Sequence, residues 1–488
     1  MTSIVDKPKL PEAAAVMTTG GDGRLHLDPT SGLNRYFSAP LPSRVLAYAS
    51  STANDISAAA YARAEEVLGQ IGPDLTGADY SDRLEPLRMR LRAAYRLDDE
   101  VAIVFAPSGT DLEYVALACH AGPARIHNIL LGADEVGTGC IHCARGHYFA
   151  ESTALGIATA AGQAVQGLGD VNVDLVDIPV RDPDGRVRPS TDIAERMENS
   201  LRLAGEQGRH SLIHVVHGSK TGLILPGTPE LDRLQSGYGE RSTLVVDACQ
   251  ARITSEAVNA YLQRDAIVFV TGSKFMGGPP FSGFAFVPAR LARRAMPLPP
   301  GLATIFRRGE WPQDWPGAEG LPNSANAGLL LRLEASIFEL ERFQLLSPGA
   351  VEQVILAFHQ AIRSQIIEPT PAHRLAPYPP GDREEADSHP IEMRTLSTLD
   401  LSDFGKGSTF EDSRVWHQAL LAHGVRLGQP VKCVRLARGS ENLWGATLRI
   451  GLSMWQIVDR VGLPEEALAS SFENDMGLVR EALLAVSR

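Results

Sequence analysis

The chain has 488 residues, a formal charge of −12, 44% hydrophobic residues and 21% charged ones. That length exceeds one ordinary core, the acidic balance argues against a nucleic-acid footprint, and no stretch approaches the ~18 apolar residues of a membrane span. Five scattered cysteines (Cys119, Cys140, Cys143, Cys249 and Cys433) argue against a disulfide framework and for a reducing compartment.

The first residues, "MTSIVDKPKLPEAAAVMTTGGDG", are polar and carry prolines. They lack the apolar core of a signal peptide, so an extended arm and a cytoplasmic location are expected. Residues 57–69 and 81–97 read as helices. From about residue 100 the pattern changes. Short apolar runs at 101–105, 126–131, 173–178, 212–216, 243–247, 266–270 and 283–287 alternate with helical stretches. Unbroken apolar runs indicate strands covered on both faces, and the alternation with helices indicates a largely parallel sheet in an α/β fold. Helical periodicity returns at 326–346 and 349–367. Residues 369–387, "PTPAHRLAPYPPGDREEAD", read as a linker or surface loop. An α+β tail follows and ends in a helix at 465–486. The expected division is an N-terminal arm and helix at 1–80, a large domain at 81–345 and a smaller α+β domain at 346–488.

The segment "CIHCARGH" places four ligand-type residues, Cys140, His142, Cys143 and His147, close together. One C-x-x-C without a second pair is a weak zinc signal, and no metal is expected.

Ligands of open α/β sheets collect at the carboxyl ends of strands, so the residues that follow each strand are the informative ones. Run 101–105 leads into Ser108-Gly109-Thr110-Asp111, a turn before a helix, which reads as an anion site. Run 243–247 ends in Asp247-Ala248-Cys249-Gln250. Run 266–270 leads into Thr271-Gly272-Ser273-Lys274, and run 212–216 into His217-Gly218-Ser219-Lys220. A phosphate needs hydroxyls and N–H groups, a protonated pyridine nitrogen needs a carboxylate, and an aldehyde needs an amine. Pyridoxal phosphate asks for all three.

A lysine after Ser/Thr-x-x, 27 residues beyond an Asp-Ala-x-Gln at a strand end, resembles the class V aminotransferase and cysteine desulfurase group. The resemblance spans roughly residues 80 to 460. It implies the fold type I architecture of pyridoxal-phosphate enzymes, with a mostly parallel large domain and a smaller C-terminal one. It also implies Lys274 as the Schiff-base lysine and general base, Asp247 as partner of the pyridinium nitrogen and Gln250 at the ring hydroxyl. Cys249 would sit near the ring face. Gly109, Thr110, Thr271 and Ser273 would hold the phosphate, with Ser273 standing where the family often has histidine. His147, with His142 as competitor, would stack on the ring. Ser219 stands where asparagine is usual. The glycines of "GGPPFSG" after Lys274 would let backbone approach the cofactor. "ATLRIGLSMW" implies Arg449 as the fork for a substrate α-carboxylate, and Asn323 or Ser324 in "GLPNSANAG" would reach the site of a second subunit in a homodimer.

The expected activity is transamination of an amino acid. A lyase of the desulfurase or kynureninase type is the alternative, in which Cys433 of "PVKCVRL" would accept sulfur. A non-catalytic cofactor-binding protein is disfavoured by the intact Lys274 and Asp247. Lys220, the rival Schiff base, has no Asp-x-x-Gln at the right distance. Cys433 reads better as a small residue packed in a strand than as a nucleophile, which favours transamination.

Overall fold

The computed structural model describes residues 10–487 except 73, 121–124, 134, 138, 170–172, 378–393, 406 and 439–440. The first nine residues of the expected arm and residues 378–387 of the expected linker therefore lie outside the described residues.

All seven apolar runs are strands of one sheet. They are β2 (Ala102–Ala106), β3 (Ile126–Leu131), β4 (Asp174–Ile178), β5 (His210–His217), β7 (Ser242–Ala248), β8 (Ile267–Thr271) and β9 (Gly283–Val287); a short β6 (Ile224–Leu225) folds back on the end of β5. The order across the sheet is β2-β9-β8-β7-β5-β3-β4. Strand β9 runs antiparallel to both its neighbours, and the pairings β8–β7, β7–β5, β5–β3 and β3–β4 are parallel. Both faces are covered, as unbroken apolar runs require. Ile103, Phe105, Val246, Val268 and Phe286 point into one core, while Val104, Val245, Phe269 and Ala285 point into the other.

Helix ends follow their local chemistry. Helix Ala58–Ile71 is capped by the Ser57 hydroxyl, Gly77–Tyr95 by a Thr76–Asp79 capping box, and Ala327–Gln344 by Asn326. The last of these packs against both of the others. The expected helix at 349–367 is an α-helix over Pro348–Ile362 that widens into a π turn at Arg363–Ile367, and the last helix is Glu465–Val486. None of the described helices is long and apolar enough to cross a membrane.

The C-terminal third builds a small antiparallel sheet from β10 (His373–Leu375), β11 (Leu396–Asp400) and β15 (Thr447–Gly451), and a hairpin from β13 (Arg435–Arg438) and β14 (Glu441–Trp444). Strand β1 (Leu46–Tyr48) pairs in parallel with β12 (Val425–Leu427). The buried Arg426 completes that seam, with an ion pair to Asp55 and a hydrogen bond to the Ala53 carbonyl. The N-terminal stretch is thereby fastened to the C-terminal region, and residues 50–54 are brought to the carboxyl edge of the large sheet.

Candidate functional site

A cavity of about 840 Å³ opens where β2, β5, β7 and β8 end. Of the residues expected at a site, Gly109, Thr110, Asp247, Cys249, Gln250, Thr271, Ser273, Lys274 and Arg449 all line it, as do Ser108, Ser219 and Lys220. Residues from five separate stretches of sequence thus meet in one space.

The strand ends are packed tightly enough to dictate residue type. A Cβ on Gly109 would lie 2.6 Å from Thr271 Cγ2, so only glycine fits between the ends of β2 and β8. The Thr271 hydroxyl donates to the Cys249 carbonyl at 2.6 Å, tying β8 to the turn after β7. In that turn the Cys249 N–H donates to Asp247 Oδ1 at 2.9 Å. The Gln250 amide is held on both sides: it donates to the Ser51 carbonyl and accepts from Arg252.

Lys274 follows the end of β8, and its carbonyl accepts from the Asn54 side chain. Burial lowers the pKa of its ammonium, while Cys249 and Asp247 pull it back up. The two glycines after it do not face the cavity. A Cβ on Gly277, at φ +88°, would meet Trp455 Cδ1 at 2.5 Å, and one on Gly278 would meet Ser336 Cβ at 2.6 Å. Their small size admits neighbouring helices rather than a ligand.

Arg449 is 2% exposed. It donates to the carbonyls of Gln429, Ser51 and Lys220 and to the Thr52 hydroxyl. No carboxylate of the described residues forms an ion pair with it, and burial pulls its guanidinium down to about 10. Arg252 lies deeper, bonded to Thr395, Gln250, Ser50 and the Leu452 carbonyl. Burial, with Arg449 nearby, pulls it to about 9. Two such buried guanidinium groups make this end of the cavity a place where an anion is favoured.

The Ser108–Thr110 turn leads into a helix as expected, though a short one. Helix Leu112–Ala118 has only seven residues, and the Asp111 and Glu113 N–H groups are already bonded to Ser108 and Thr110 carbonyls. Side chains add polar capacity here. Ser108 donates to Asp111 at 2.6 Å, and a residue that sequence reasoning passed over, Arg24, donates to Ser108 and Thr110.

His147 is not brought to the cavity. The helix after the turn is a single turn, Cys140–Cys143, and the chain has already left the wall by residue 147. There the His147 backbone carbonyl accepts from the Tyr114 hydroxyl and its strand bridge is to Ala164. His142 does not line the cavity either; Val136, Gly137 and Cys140 do. The four ligand-type residues of "CIHCARGH" also separate: Cys140 packs in one core and Cys143 in the other. Cys433 is half-buried, lies outside the cavity lining, and is pushed up to about 12 by burial. Asn323 and Ser324 are exposed and do not line the cavity of their own chain.

Several solved structures superpose on this one over most of its length. A cysteine desulfurase from Thermococcus onnurineus NA1 superposes at a TM-score of 0.54 and 16% identity, covering 90% of this chain and 95% of the other. The ureidoglycine-glyoxylate aminotransferase of Bacillus subtilis gives 0.54 at 12%, covering 91% and 93%. A serine palmitoyltransferase variant from S. paucimobilis with a bound PLP–myriocin aldimine gives 0.51 at 14%, covering 94% and 91%. The chain has the fold of type I pyridoxal-phosphate enzymes. No protein-family model matches it, and no curated protein does. Identities this low establish the shared architecture alone, so the site has to speak for the chemistry.

Arg24, Arg252, Ser51 and Thr52 were not found from sequence. Their only local signal is the short "GDGR", where Asp22 caps a single 3-10 turn by accepting from the Arg24 N–H. Such a turn is common in loops.

Proposed function

We propose that this chain is a pyridoxal-phosphate-dependent enzyme acting on an amino acid, and that it is an aminotransferase. The observation that supports this best is the convergence of Lys274, Asp247, the Ser108–Thr110 turn and Arg449 on one cavity. Their donor chemistry fits the cofactor group by group. Ser108, Thr110 and Ser273 offer hydroxyls for its phosphate, and Gly109 leaves room where a Cβ would strike Thr271. Asp247 would face its ring nitrogen, Gln250 its ring hydroxyl, and Lys274 its aldehyde. Bound there, pyridoxal phosphate supplies an aldehyde for the substrate amine and a protonated ring that withdraws electrons from Cα.

The chain's own residues do the rest. Arg449 binds and orients the substrate carboxylate through its planar fork. Lys274 Nζ would take the proton from substrate Cα and hold it for return to the product, a task suited to an amine whose pKa burial has lowered. Asp247 keeps the ring nitrogen protonated. Transamination needs no thiol, whereas sulfur transfer needs a thiolate that the substrate can reach. The position of Cys433 outside the cavity lining, with its thiol pushed up to about 12, favours the former. We also propose a homodimer in the cytoplasm, in which the exposed Asn323 and Ser324 reach the partner's site.

The test is direct. Purified protein loaded with pyridoxal phosphate should gain a visible band. Borohydride reduction and peptide mapping should then place the cofactor on Lys274. In Cys433→Ser, an amino donor should still convert the cofactor to pyridoxamine phosphate, and cysteine should leave no persulfide on the parent protein. Loss of turnover in that variant, together with a persulfide trapped on Cys433, would replace transamination by sulfur transfer.

A further inference from the structure

We infer that Arg24, delivered by the N-terminal segment, is a phosphate-binding residue of this cavity and sets its preference for a phosphorylated cofactor. The inference rests on the pyridoxal-phosphate reading above.

Arg24 lines the cavity at the Ser108–Thr110 turn, with its side chain 16% exposed. One edge of its guanidinium is occupied by Asp22, with Nε to Oδ1 at 2.8 Å and Nη2 to Oδ2 at 2.7 Å. The other edge is turned to the site: Nη2 donates to Ser108 Oγ at 2.9 Å and Nη1 to Thr110 Oγ1 at 3.2 Å. Its plane is fixed between two aromatic rings, Phe149 at 4.7 Å and Phe281 at 4.6 Å. A fork held by a carboxylate on one edge, and directed at hydroxyls on the other, is pre-organised for two parallel hydrogen bonds to a phosphate. Asp22 neutralises much of its net charge. What Arg24 adds is therefore directed donors in a site shielded from water, rather than long-range attraction.

The segment that bears Arg24 is built into the fold. Arg332 is fully buried and donates to the carbonyls of Met17, Thr19 and Gly20, and also to that of Phe281. One side chain thus positions both the segment and a ring that sandwiches Arg24. Asn326, the cap of helix Ala327–Gln344, also donates to the Gly20 carbonyl. Gly20 has φ +64°, and a Cβ there would collide with the Asn326 side chain.

The test separates phosphate recognition from general support of the fold. Apo-protein is titrated with pyridoxal phosphate and, separately, with pyridoxal, following absorbance and fluorescence. The parent should prefer the phosphorylated form. Arg24→Gln should weaken pyridoxal phosphate about 30-fold, the effect of losing a charge-assisted pair of hydrogen bonds, and leave pyridoxal unchanged. Arg24→Lys should fall between the two. Inorganic phosphate should protect Arg24 of the parent from phenylglyoxal, read by mass spectrometry; this needs no variant to fold. Equal losses for both ligands, no loss for either, or no protection by phosphate would overturn the assignment of Arg24. A parent protein that binds neither ligand would instead overturn the functional reading beneath it.

Discussion

Lys274 and Lys220 reach the same cavity from strands on either side of β7, yet they stand in opposite electrostatic surroundings. Lys274 follows β8 and Lys220 follows β5, with Asp247 at the end of the strand between them. After burial, the strongest influences on Lys274 are Cys249 and Asp247, which favour its charge. On Lys220 the strongest is Arg449, which opposes it, and the pKa falls to about 8. The backbone differs as well. The Lys274 carbonyl accepts from the Asn54 side chain, whereas Lys220 receives Arg449 on its carbonyl and gives its N–H to the Glu135 carbonyl. Two Ser-Lys pairs that read alike locally thus differ in which group weighs most: Cys249 and Asp247 lead at Lys274, whereas Arg449 leads at Lys220 with Glu135 acting against it. The first suits the cofactor end of the cavity. The second suits a substrate anion.

Exchanging the roles of the two lysines would break this comparison. Lys274→Ala is expected to abolish the borohydride-stable link and lower kcat by at least about 10⁴-fold, because nucleophile and base are lost together. Lys220→Ala should keep the link and raise KM by about 10-fold, the effect of losing one charged contact. Mass spectrometry of the reduced adduct with steady-state kinetics reads both; a link that disappears with Lys220 would reverse the assignment. Next in size is Arg449→Lys, which keeps the charge but loses the fork. KM for the amino donor should rise about 30-fold, with a smaller change in kcat. A kcat-dominated loss would place Arg449 with the reacting atoms and not with the carboxylate.

The smallest effect concerns stability. The folded-state pKa of Lys220 is about 8 against an ordinary 10.5. The unfolded chain therefore binds more protons between these values, and stability rises with pH through that window. Below pH 8 the charged amine costs its full penalty. Lys220→Met should raise Tm at pH 7 by about 1–2 °C, on the order of 1–2 kcal/mol, and the gain should vanish near pH 10.5. A gain that does not change with pH would show that packing, and not the buried charge, is responsible.

The sheet and its strand ends were legible because each is a local pattern. Unbroken apolar runs marked β2 to β5 and β7 to β9, and Asp247, Gln250 and Lys274 stand directly after them. The residues that were missed reach the cavity over long separations. Arg24 meets Thr110 across 86 positions, and Ser51 meets Arg449 across 398. Nothing in the neighbourhood of "GDGR" or "ASSTAND" discloses such partners. His147 was expected at the ring because it follows the right turn in a resembling segment. The helix there is a single turn, so Cys140 lines the wall instead. The glycines after Lys274 were read as letting backbone approach the cofactor, but the groups that approach them are Trp455 and Ser336.

The pairing of β1 with β12 has a consequence for how the molecule is made. Residues 46–48 leave the ribosome early and wait for residues 425–427, their partners in the parallel pair. Ser51 and Thr52, just beyond β1, receive Arg449 from a strand synthesised later still. The large sheet can assemble while the chain is growing, since its strands all lie between residues 102 and 287, but the Arg449 end of the cavity cannot. Such long-range closure is slow and comes late in folding. A chain truncated before β12 would hold the Lys274 and Asp247 end of the site without Arg449, so the cavity is completed only once residue 449 has been made.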